Sequence, residues 1–215
     1  MRAYIRVLCV CLISLAAVLN LSTASAGQWW AKVGPSYIDF DEDVSLKQGG
    51  VKVQGANAAF SNNASLAAEV GYSFNNSWSL GFTFGVPPTT KIYGRGSVEQ
   101  IGKVGEITYA PAALSVEYHF DTGTRLRPYV GVGAVFVYIL KSKDSTVDNL
   151  DADNAFGSLI KAGLEYPLTD RLGLFLDVQK MFIETTAKGS LMGAPVKADI
   201  TLNPFITHAG VMFKF

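Results

Sequence analysis

Beyond residue 26 the chain has no cysteine, no long apolar run and only two histidines, His119 and His208. Without cysteine there is no disulfide, no thiolate nucleophile and no Cys-ligated metal, even in an oxidising compartment. No stretch there approaches the 18 or more consecutive apolar residues of a membrane-spanning helix, although hydrophobic residues make up 49% of the chain. Nor is there an excess of basic charge, and the patch of interleaved basic and aromatic residues that nucleic acid requires is missing.

The first 26 residues are of another kind. Arg2 and Arg6 precede an apolar run from Val7 to Leu21 that contains Cys9 and Cys11, and Ala24-Ser25-Ala26 follows. This is the layout of a cleavable secretory signal, with cleavage expected after Ala26. A lipoprotein would need a cysteine at the cleavage point. Of the 18 basic residues, Arg2 and Arg6 leave with the signal, so 16 face 18 acidic ones. What remains, residues 27 to 215, has the length of one domain.

Its apolar residues alternate. Read at period two, eight segments emerge: Gln28 to Ile38, Ser65 to Phe74, Trp78 to Val86, Ile107 to Phe120, Leu126 to Tyr138, Phe156 to Leu168, Leu172 to Phe182 and Val196 to Phe215. Each is long enough to cross a bilayer as a tilted strand. Asn75-Asn76-Ser77, Asp121 to Arg125 and Thr169-Asp170-Arg171 read as tight turns. The other four connections are long and mostly polar, and are expected to be loops. Short turns on one side and long loops on the other are how an outer-membrane barrel is arranged.

One face of these segments is bulky and uncharged, as in Trp78, Leu80, Phe82, Phe84 and Val86; the other is small and polar, as in Ser79, Gly81, Thr83 and Gly85. A soluble barrel, such as a lipocalin, would show water the Gly-rich face, and soluble surfaces carry far more Lys and Glu. The bulky face therefore belongs on lipid, where a charge costs about 2–4 kcal/mol at the midplane. Lys180, Lys197 and Asp199 depart from that rule, at a loop end and at the start of an overlong last strand. The fold class expected is an all-β, eight-stranded antiparallel transmembrane up-and-down β-barrel. Tyr72, Phe74, Trp78, Tyr118, Phe120, Tyr166, Phe213 and Phe215 would form an aromatic belt on the short-turn side.

Gly85-Val86-Pro87-Pro88-Thr89, Tyr118-His119-Phe120, Pro128-Tyr129-Val130-Gly131-Val132-Gly133, Asp177 to Ala187, Leu202-Asn203-Pro204 and the ending Gly210-Val211-Met212-Phe213-Lys214-Phe215 form an ordered set. With it the sequence resembles the OmpW family of small outer-membrane barrels, which includes AlkL-type proteins. Asn203 stands where that pattern expects Asp. The resemblance implies a barrel that helps small hydrophobic molecules across the outer membrane. It also implies that Gly210, Phe213 and Phe215 belong to a C-terminal signal read by the barrel-assembly machinery.

The residues themselves say more about the lumen. Lys32, Arg127, Lys161 and Lys214 face Glu69, Glu117, Glu165 and Asp177 there, a balance that suggests pairs plugging the periplasmic half. Lys161 with Asp177, and Glu117 with Arg127, are expected to pair across tight turns. Nearer the long loops, Ile38, Ile107, Tyr109, Val135, Val137, Leu159, Met181 and Ile206 would line an apolar funnel open to the outside. A ligand stopped by the charges below would leave sideways, near Pro35, Pro87, Pro88, Pro111 and Pro204, which lack ladder donors. The bland alternative is that these residues simply fill the upper barrel.

A lipid-modifying barrel enzyme is the main rival, but neither His119 nor His208 has a Ser and a carboxylate on the loop-proximal outer wall. A structural or adhesive barrel with a plugged lumen is another. The acidic loop clusters, Asp39, Asp41, Glu42 and Asp43 and then Asp144, Asp148, Asp151 and Asp153, lack the Gly and terminal Glu of an EF-hand and read as solvated. No cofactor or metal is expected. The partners expected are outer-membrane lipids and lipopolysaccharide, small hydrophobic ligands and the assembly machinery, with the barrel a monomer.

Overall fold

The computed structural model describes residues 27–215 apart from Gly49 and Met192; the expected signal segment lies outside them. Eight long strands close on themselves: β1 (Gln28–Asp39), β5 (Asn63–Ser73), β6 (Trp78–Gly85), β8 (Lys103–His119), β9 (Arg127–Asp144), β11 (Ala155–Pro167), β12 (Leu172–Leu191) and β14 (Phe205–Lys214). They follow one another antiparallel around the barrel, with β14 pairing both β1 and β12 and β11 completing the ring with β12. Backbone donors and acceptors are thereby satisfied within the wall, as a bilayer demands.

The parity holds. Val33, Leu66, Phe82, Phe84, Val132, Ile160, Leu174 and Phe213 point outward and exposed, while Lys32, Glu69, Ser79, Ser115 and Asp177 point inward and buried. On the short-turn side Trp29, Tyr72 and Phe74, and likewise Trp78, Tyr118 and Phe120, pack ring against ring in the outward belt. Side chains close the short turns: Asn75 Oδ1 accepts from the Ser77 and Trp78 amides, Asp121 Oδ1 from Gly123, and Thr169 Oγ1 from Leu172. Gly123 takes a positive φ of 66°, which a residue with a side chain rarely adopts.

Glycine on the inner face makes room for rings. Trp30 stands opposite Gly71 and Tyr129 opposite Gly163, and a side chain at either glycine would run into the facing ring.

Two expectations need correction. The last strand is not continuous: β13 (Ala194–Leu202) and β14 are separated at Asn203-Pro204, where proline has no N–H for the ladder. Both segments still run along β12. The long connections are also not loops. They fold as β2 (Glu42–Gln48), β3 (Val51–Lys52), β4 (Ala56–Phe60), β7 (Thr89–Gly96) and β10 (Asp148–Ala152), alongside upper extensions of β8, β9 and β12. β13 pairs β2, β4 pairs β7, and β2 packs against β4 as β10 does against β9. The result is an extracellular tier whose strands encircle an interior of their own.

Candidate functional site

The lumen has two halves of opposite character. In the lower half Lys161 bonds Glu69 and lies 2.8 Å from Glu117. Lys32 sits 3.1 Å from Glu165, with Glu69 and Glu117 at 3.9 and 4.0 Å. Its ammonium also lies 3.1 Å from the Tyr129 hydroxyl and over the faces of Trp30 and Tyr129. Tyr129 in turn donates to Asp177 at 3.0 Å, and Gln179 donates to the other Asp177 oxygen at 3.1 Å. Thr83 and Ser115 donate to Glu69 and Glu117. Buried charges tolerate this position because the lysines and glutamates lie within 4.0 Å of an opposite charge and Asp177 accepts two hydrogen bonds.

Neither cross-turn pair forms. Asp177 faces Gly163, one two-residue step from Lys161, and Lys161 reaches across the lumen instead. Glu117 faces Gly131, four residues from Arg127, and Arg127 donates at 2.8 Å to the Asn76 carbonyl. A narrow lumen lets long side chains find partners on non-neighbouring strands, so sequence distance from a turn decides little. Arg127 and Lys214 line the periplasmic mouth with Gln28, Trp30 and Asn75. The sealed floor thus holds two ammonium groups against four carboxylates, not four against four.

Ser79, expected on the lumen face, belongs to this floor, as do Trp30, Tyr129 and Gln179, which the charge pattern does not mark. An aromatic residue on the small face opposite a glycine was the available cue for Trp30 and Tyr129. His119 contacts Ser79 at 2.9 Å, with Glu117 and Glu165 at 3.6 and 3.8 Å. This is a Ser, His and carboxylate cluster, but Ser79 is wholly buried and presents nothing to a substrate.

Above the floor lies a layer of Ala113, Val135, Ala155, Leu159, Met181 and Ile183. Val135 and Leu159 are buried within it and line none of the cavities described below, which takes them out of the expected funnel lining. Ile38, Ile107, Tyr109, Val137, Met181 and Ile206 do line an apolar cavity of about 70 Å³ with Phe40 and Phe60. It shares Phe60 and Ile200 with a second apolar cavity of about 80 Å³ inside the tier, walled by Val44, Ile92, Val147 and Leu150. The chamber therefore reaches further out than the expected funnel.

A third cavity, of about 50 Å³, shares Ile38, Met181 and Ile206 with the first and extends to Leu66, Phe84 and Val86, which face outward. It lies where Val86-Pro87-Pro88 separates β6 from β7, and its rim includes Pro88 and Pro111. A single backbone bond, Val86 N–H to the Leu66 carbonyl at 2.8 Å, continues the ladder beyond Gly85.

Charges outside the bilayer fasten the tier. Asp199 joins Lys47 at 2.8 Å and Lys197 at 3.3 Å, and Glu106 joins Lys103 and Lys143. Lys180 on the outer face reaches Asp41 at 3.1 Å. The acidic loop residues are structural too: Glu42 accepts from the Phe60 amide, and Asp144 from those of Asn149 and Leu150. Hydrogen bonds from Lys103 hold the Glu106 carboxyl below its ordinary range, and those from Lys47 and Lys197 do the same for Asp199. Such depressed carboxyls stabilise the fold above the ordinary carboxylate range and lose that contribution as pH falls through their folded values. Below about pH 4 the amide signals of β2 and β13, and of the upper ends of β8 and β9, should broaden before those of β1 or β11, and only slightly, because the pairs are exposed. Loss of all strands together would contradict this.

A family model for the OmpW family matches residues 25–215. The dibenzothiophene metabolism operon protein PahQ of Pseudomonas aeruginosa is 30% identical over 207 residues, 96% of this chain and 98% of that protein. Outer membrane protein AlkL of Ectopseudomonas oleovorans is 31% identical over 190 residues, 88% of this chain and 83% of its own. The crystal structure of outer membrane protein OprG from Pseudomonas aeruginosa has the same fold, with a TM-score of 0.82 over 88% of this chain and 96% of that one at 22% identity. With the closed eight-stranded wall, the outward apolar band and the match over the whole described domain, the chain belongs to the OmpW family of bacterial outer-membrane β-barrels.

Proposed function

We propose that the barrel takes up small apolar molecules through the tier and releases them sideways into the outer membrane, without chemistry of its own. The carrying observation is the run of three cavities that share walls, of which the lowest reaches the outward-facing Leu66, Phe84 and Val86, while the ionic floor blocks the axis below. Apolar molecules gain about 25 cal/mol for each Å² of surface removed from water, so such a wall attracts them with little selectivity. The relative PahQ, named for a dibenzothiophene metabolism operon, supports an apolar cargo.

Val137 projects into the chamber from β9. Replacing it with Asp places an unpaired carboxylate on the path, which costs several kcal/mol to desolvate. Uptake of a radiolabelled hydrocarbon by cells carrying Val137→Asp should fall about tenfold with the barrel still folded by heat-shift electrophoresis. Unchanged uptake in the folded variant would remove the chamber from the route. The same change at Leu159 probes the packed floor of the chamber instead.

A further inference from the structure

His208 stands where the ionic floor meets the apolar chamber. On β14 it is opposite Ser36 of β1 and Asp177 of β12. Its ring is buried, 1% exposed, held edge to face against Phe175, and neither ring nitrogen has a hydrogen-bond partner among the described residues. Gln179, facing Ile206 one step along the same inner face, is 2% exposed; it gives its amide nitrogen to Asp177 and leaves Oε1 without a partner. Both side chains, with Ser36 and Thr83, line the cavity of about 50 Å³ behind the wall at Leu66 and Val86.

Buried polar atoms are almost always paired, and leaving them unpaired is costly. Three such atoms around one cavity define what would satisfy them. A neutral imidazole offers one N–H donor and one acceptor nitrogen in either tautomer, and Gln179 Oε1 offers a further acceptor. A hydroxyl fits both: it donates to the Gln179 carbonyl oxygen and accepts from the His208 N–H. A ketone satisfies only the donor, and a hydrocarbon neither. A carboxylate is repelled by the four acids of the floor, and any charged head would lose its hydration on the way through the chamber.

Resting on the uptake reading above, we propose that His208 and Gln179 form a head-group site for neutral hydroxylated hydrophobes, such as aliphatic alcohols and alkylphenols, whose apolar body lies in the chamber. The barrel then ranks its ligands by one polar atom as well as by size.

The test compares 1-octanol with octane on the mature protein in lipid nanodiscs, following ¹⁵N imidazole and amide shifts. The wild type should bind 1-octanol about tenfold tighter than octane, the worth of one or two hydrogen bonds, and only the alcohol should move the His208 ring nitrogens. His208→Phe keeps the packing against Phe175 and should abolish the preference while leaving octane binding unchanged; Gln179→Met should reduce it in the same direction. Equal binding of both compounds by the wild type, or a preference that survives both substitutions, overturns the head-group site while leaving the uptake reading intact. Binding of neither compound overturns both. Cavity water with no role in selection would show as equal shifts of the ring nitrogens with either compound.

Discussion

Replacing Lys161 with Met is expected to lower barrel stability by about 3–5 kcal/mol, the usual consequence of removing one partner from a buried ionic cluster. Lys161 contacts two carboxylates at once, Glu69 and Glu117, in a layer where acids already outnumber ammonium groups. Its removal leaves Lys32 as the only buried lysine beside four acids among the described residues. Urea titration in micelles, read by the mobility difference between folded and unfolded barrel, should show an earlier midpoint for Lys161→Met. Adding Glu69→Gln and Glu117→Gln to it should recover much of the loss, because the cost lies in uncompensated charge rather than lost contact area. A single variant with the wild-type midpoint would mean that the floor does not hold the barrel together.

Ala152→Trp should reduce hydrocarbon uptake at least tenfold. Ala152 lies on β10, in the tier, and lines the cavity of about 70 Å³. An indole there fills free space that the alanine methyl leaves, and it does so outside the strands that cross the bilayer. Unlike Val137→Asp it introduces no charge, so the two variants separate blockage from electrostatic penalty. Ala152→Ser serves as the size-matched control and should transport normally. Normal uptake by the tryptophan variant would mean that cargo bypasses the tier, entering below it.

The wall of the barrel was legible in the sequence because lipid sharpens the pattern. Along Trp78 to Gly85 every outward residue is bulky and every inward one is small or polar, and the segment read from that alternation coincides with β6 to within a residue. The tier was not legible for a converse reason. Its strands face water outside and apolar residues inside, so Val44 and Leu46 sit between Asp43, Ser45 and Lys47 in a stretch that composition marks as solvated loop. The candidate site was half visible. Parity told which residues point inward, and it found six of those that line the chamber. It carried no information on depth or on partners across the lumen. Lys161 of β11 meets Glu69 of β5 and Glu117 of β8, strands that no hairpin links to it. Tyr129 carries no signal of its own in the sequence, because its space is made by Gly163 on the neighbouring strand.

The floor draws its charged members from β1, β5, β8, β11 and β12, the first strand and the last but one of the ring among them. Lys32 of β1 meets Glu165 of β11 across the lumen, a pairing that needs strands from both ends of the chain. A half-inserted hairpin would carry lone lysines and acids into hydrocarbon, so partial structures are penalised and the closed one gains all its pairings together. A sheet in the wrong register would bring the wrong charges to the axis, so the same cluster that seals the lumen favours the native closure over its alternatives.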